Sequence, residues 1–145
     1  MKPLPSLAGR VDKALVACLM PDYPPLLPSA RARVLEDVAR FVASQVGRAP
    51  WLVRLAVRPL GTALFLWLAL AGVLASPIPY RRAEAPIHRF ASLAPALAAV
   101  VRLYRSMTLL AFYEHAAIAG ALGLEDPEDR QARFRARRAG MGTPA

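Results

Sequence analysis

From Leu60 to Ala75 the chain carries no charged residue, a run of 16. Water disfavours open apolar surface by about 25 cal/mol per Å², so this run needs cover from its own core, from a partner or from a bilayer. A helix that crosses a bilayer needs about 20 apolar residues, with a tolerated range of about 17 to 25. The uncharged stretch widens to 22 residues between Pro59 and Tyr80, but Pro77 and Pro79 take its tail out of a regular helix. Two readings therefore stand. The favoured one is a buried bundle helix; the other is a membrane span or in-plane hairpin, with Leu60, Phe65, Trp67, Leu70 and Leu74 as its candidate lipid contacts. Flanking charge orients neither, because Arg54 and Arg58 precede the run and Arg81 and Arg82 follow it.

Prolines divide the rest. A first helix is expected from Val11 to Met20, stopped by Pro21, Pro24, Pro25 and Pro28. Ser29 is placed as the N-cap of a second helix, in which Val34, Leu35, Val38, Phe41, Val42 and Val46 recur every three or four residues. Glu36 and Arg40 stand four apart in the favourable order. Gly47 is the expected left-handed stop, and Pro50 the first residue of a third helix, kinked or interrupted at Pro59. Tyr80 to His88 reads as a polar connector. Ser92 then caps a helix from Leu93 to Leu122 that is apolar around most of its girth and so central in its bundle. Gly123 ends it. Asp126 caps a last helix that carries Arg133, Arg135, Arg137 and Arg138 and stops at Gly140, in accord with the macrodipole.

No strand alternation is present. The expected fold is all-α, a small bundle of about five helices with one very apolar central helix. Residues 1–124 form the helical domain, and 125–145 a basic C-terminal helix and tail.

The charge is lopsided, 19 Lys and Arg against 10 Asp and Glu. Between Val38 and Tyr113 there are nine arginines and a single acid, Glu84. Such a surface suits anionic lipid or an acidic protein. Nucleic acid is disfavoured, since there is no reading motif and the aromatics sit in apolar runs. Cys18 has no second cysteine to pair with and reads as a small buried hydrophobe. The first ten residues lack the apolar core of a cleavable signal, so the expected location is the cytoplasm or the cytoplasmic face of the inner membrane.

Catalytic patterns are absent. His88 and His115 lie in different segments, no residues stand at zinc-ligand spacing, and Gly61-Thr62 lacks the lysine of a phosphate loop. The densest polar group in an apolar stretch is Tyr113-Glu114-His115. Adjacent helical residues point about 100° apart, so Glu114 and His115 make no preorganised acid–base pair. The bland expectation is that Glu114 pairs with an arginine and that His115 sits at a helix edge.

Certain features in order resemble a known group: the Met20-Pro21-Asp22-Tyr23-Pro24 turn, the core of Val38, Phe41 and Val42, the stretch Arg89 to Leu93, and Leu103 to His115 closing on Ala121-Leu122-Gly123. This looks like the small helical subunit, or N-terminal helical extension, associated with glucose-methanol-choline flavin oxidoreductases, as in gluconate dehydrogenase small subunits. The resemblance implies a non-catalytic accessory subunit, membrane-attached or soluble. FAD would then sit in a larger flavoprotein partner, with no cofactor in this chain. Tyr104, Arg105, Tyr113, Glu114 and His115 are the candidate partner contacts.

Overall fold

The computed structural model describes residues 7–22, 28–123 and Arg135. Among these the fold is all-α, six helices with no strand: α1 Leu7–Leu19, α2 Pro28–Arg48, α3 Trp51–Leu70, α4 Pro79–Ser92, α5 Pro95–Glu114 and α6 Ala116–Ala121. The expected helix from Asp126 to Gly140 and the boundary at residue 125 lie outside the described residues, except that Arg135 is helical and exposed.

α5 touches every other helix, and α1 packs against α2, α3, α4 and α5. Between them they bury Leu15, Val16, Tyr104 and Phe112, joined by Val34, Val38, Val42 and Val46 of α2. That valine stripe is the 3.6-residue periodicity of the sequence turned into a packed face. Cys18 is buried among apolar neighbours, as expected of a small hydrophobe.

Several boundaries differ from the sequence reading. Pro28 opens α2, so Ser29 lies inside its first turn instead of capping it. The helix runs through Gly47 to Arg48, and Gly47 is not left-handed. Pro50 is the N-cap of α3 and not its first residue. Glu36 pairs with Lys13 of α1, while Arg40 takes Asp37 at 3.3 Å.

Pro59 does not interrupt α3. It sits on the exposed side, where water can serve the carbonyl that its missing N–H leaves free. The apolar run is not one helix to Ala75. Gly72 adopts a left-handed φ of 69°, with Gly72 N–H donating to Ala69 O and Val73 N–H to Leu68 O. This is a Schellman ending, closed by the buried pair Leu68 and Val73.

The connector expected at Tyr80 to His88 is the helix α4. Pro79 occupies its first turn, and Ala83, Ile87 and Phe90 give it a buried face at three- and four-residue spacing. Ser92 is therefore the end of α4, its Oγ donating to Arg89 O at 2.8 Å, and caps nothing. Ala94, held extended by the proline that follows it, is the N-cap of α5. The long helix also breaks at His115, whose ψ of 126° separates α5 from α6. Gly123, with φ 65°, is the expected stop.

Candidate functional site

α3 is attached to the bundle by a buried polar anchor. Asp12 of α1 is only 1% exposed. One of its carboxylate oxygens accepts the Tyr104 hydroxyl at 2.9 Å and the other accepts Arg58 at 2.9 Å. Burial, followed by the charge of Asp12, pushes the Tyr104 phenol well above its ordinary range. Gly61 makes the close approach of α3 to α5 feasible, because a Cβ there would lie 2.9 Å from Tyr104 Oη. Thr108, one turn beyond Tyr104, is fully buried, and its hydroxyl has no hydrogen-bond partner among the described residues. A second anchor ties α3 to α4: the Trp67 indole N–H donates to Pro86 O at 2.9 Å, and its ring meets Phe90 at 6.1 Å.

These anchors fix the roll of α3. Val57, Gly61, Leu64 and Leu68 face inward. At 100° per residue the opposite side is Leu52, Leu55, Pro59, Thr62, Leu66 and Ala69, with Leu70 beside it. All of these are exposed, Leu55 by 66% and Leu70 by 88%. The two arginines of α3 are turned away, Arg58 to Asp12 and Arg54 to Gly47 O at 3.3 Å. The outer face is thus an uncharged strip along the whole helix.

Of the candidate lipid contacts, Leu70 is on that strip. Leu60, Phe65, Trp67 and Leu74 are half-buried and pack against the core. α3 and α5 are each 20 residues long and apolar enough to cross a membrane. α5, however, touches every other helix and exposes Arg102 and Arg105.

The candidate partner contacts do not gather in one place. Tyr104 is buried in the Asp12 anchor and is not available at the surface, a correction forced by its role in holding α3. Arg105 lines a groove of about 380 Å³ between α1, α4 and α5, together with Met20, Asp22, Tyr80, Glu84 and His88. At the far end of α5, Tyr113 and Glu114 are exposed. Glu114 has no ion pair among the described residues, contrary to the expected arginine partner. His115 does sit at a helix edge. Its Nδ1 accepts the Ala117 N–H as the cap of α6, and its Nε2 lies 3.3 Å from Asp37.

Asp22 closes α1 onto its neighbours. Arg81 of α4 reaches it at 2.9 Å and Arg31 of α2 at 3.3 Å. A hydrogen bond from the Tyr80 hydroxyl, followed by one from Arg81, holds the Asp22 carboxyl below its usual range. Arg31 also stacks over the Tyr80 ring at 4.6 Å. Burial pushes the Cys18 thiol up to about 11. No group of three metal-ligating side chains occurs among the described residues.

Sequence reasoning located the apolar run but not its outward strip, nor the buried carboxylate of Asp12. The three- and four-residue spacing from Leu52 to Ala69 was the available signal. It competes with the equally apolar inward stripe of the same helix.

No protein-family model matches the chain, and no solved structure matches it. A relative is found in the uncharacterized protein y4nI of Sinorhizobium fredii (strain NBRC 101917 / NGR234), 36% identical over 110 residues that cover 74% of this chain and 92% of that protein. With identity and coverage of that order, the chain belongs to the same family as y4nI.

Proposed function

We propose that this chain is a non-catalytic helical accessory subunit of a flavin-dependent oxidoreductase of the glucose-methanol-choline type, attached to its larger partner through the outer face of α3. The observation that carries the docking role is the exposed, uncharged strip that runs the length of α3. Covering Leu52, Leu55, Leu66 and Leu70 contributes about 1 to 2 kcal/mol each before the cost of association is subtracted. The flavin link is supported by the resemblance of the Leu103 to His115 stretch and of the Met20-Pro21-Asp22 turn. FAD belongs to the partner in this reading, and the complex works in the cytoplasm or on the cytoplasmic face of the inner membrane.

A second reading, a small single-pass or interfacial membrane protein with no redox role, is favoured by the length and hydropathy of α3 and α5. The arginines exposed on α5 weigh against a two-helix span, so a bilayer would take α3 alone, across it or along its surface.

The test is purification of the tagged chain from its native cells in mild detergent. A yellow eluate with a stoichiometric larger band supports the accessory subunit. A colourless eluate holding only this chain and lipid supports the membrane protein.

A further inference from the structure

The strip on α3 has a spacing and a charged border that describe its occupant. Leu52, Leu55, Pro59, Thr62, Leu66 and Ala69 step by three and four residues, the spacing of a seam that receives a second helix. The border comes from α4. Pro86 lies against α3, since its carbonyl accepts the Trp67 indole. Arg82 and Arg89 stand four residues before and three after Pro86, and so on the same side of α4. Both are exposed, and neither guanidinium has an ion pair or hydrogen-bond partner among the described residues. Their neighbour Arg81 is engaged by Asp22, and the one acid of α4, Glu84, lies about 160° around the helix from Arg82, lining the groove with Tyr80 and His88 and also a surface hollow shared with Arg82 and Arg89. An apolar seam beside two unpaired cations about two turns apart is complementary to an amphipathic helix with carboxylates along one flank.

We propose that the strip receives a helix of the partner protein, apolar at three- and four-residue spacing, whose flanking Asp or Glu residues pair with Arg82 and Arg89. This rests on the accessory-subunit reading. Seven residues along α4 separate the two arginines by about 10 Å along that helix.

The experiment starts from the complex purified from native cells, with three variants at exposed positions checked for helicity by circular dichroism. L66D interrupts the seam, R82E/R89E reverses the border, and R82K/R89K keeps its charge while adding amines for carbodiimide coupling. The native lysines are only Lys2 and Lys13, and Lys13 is already paired with Glu36, so new cross-links are readily assigned.

The expected results are loss of the partner with L66D and about tenfold less partner with R82E/R89E at low salt, a deficit that shrinks near about 0.5 M salt. The substituted positions of R82K/R89K should cross-link to acidic residues in one amphipathic segment of the partner. A yellow complex that tolerates R82E/R89E and yields no such cross-link overturns the docking proposal and leaves the accessory subunit standing. A chain that brings down no flavoprotein, or that instead binds anionic phospholipid vesicles through the same arginines, overturns both.

Discussion

Replacing Gly61 by alanine sets two effects of known sign against each other. In a helix interior alanine is favoured over glycine by about 0.8 to 1.0 kcal/mol, so an unconstrained site would gain stability. Here the new Cβ would meet Tyr104 Oη at 2.9 Å and the ring atoms Cε2 and Cζ at 3.3 Å. The phenol cannot retreat freely, because its hydroxyl donates to buried Asp12 at 2.9 Å. Overpacking of this kind costs about 1 to 3 kcal/mol, and stretching a hydrogen bond to a buried carboxylate puts at risk part of its contribution of about 1.5 to 3 kcal/mol. The expected net effect of Gly61→Ala is a destabilisation of about 1 to 3 kcal/mol. Tyr104→Phe removes the 2.9 Å contact and leaves only the looser approach to the ring. In that background the cost of Gly61→Ala should fall, with a coupling of about 1 to 2 kcal/mol between the sites. Urea unfolding of the wild type, both single variants and the double variant, followed by far-UV circular dichroism, measures all four corners. A Gly61→Ala protein more stable than wild type, or a coupling under about 0.5 kcal/mol, would refute the packing of α3 on Tyr104.

Asp12→Ala should cost about 3 kcal/mol in the same assay, the low end for a broken buried pair because Arg58 keeps a third of its side chain in water. Replacing Asp12 and Arg58 together by apolar residues should recover part of the loss. Native Cys18 should resist alkylation near neutral pH and react only on unfolding, since it is buried with its thiol pushed up to about 11. The folded state then holds that proton more tightly than the unfolded state. Its contribution is complete below the ordinary thiol pKa of about 8.5 and is lost as pH rises through about 11. Cys18→Ala should flatten that alkaline part of a stability–pH curve. Asp22 acts at the other end: its lowered carboxyl pKa stabilises the fold above the ordinary value of about 3.9 and stops doing so as acid protonates it. Acid titration of Asp22→Asn should show a shallower loss below about pH 4.

Much of the local structure was legible in the residues. The valine stripe of α2 occurs at the positions where the 3.6-residue period put it, and Gly123 is left-handed where the last apolar residues end. Prolines marked the breaks between helices, but their detailed roles depended on context. Pro59 is tolerated inside α3 because it faces water, whereas Pro95 divides what looked like one helix by holding Ala94 extended. α4 was obscured by the polarity of its outer side, although Ala83, Ile87 and Phe90 carried its buried stripe.

The all-α class and the amphipathic α2 followed from the sequence alone, because periodicity and proline placement are local properties of the backbone. The outward strip of α3 did not, because a helix apolar on both sides has no preferred inward face until its neighbours supply one. That choice rests on contacts between residues far apart in the chain: Arg58 and Tyr104 meeting Asp12, Gly61 yielding to the Tyr104 hydroxyl, and Trp67 reaching Pro86. Only tertiary packing could turn one apolar side of α3 into core and leave the other exposed, since both sides bear much the same surface and the anchors alone tell them apart.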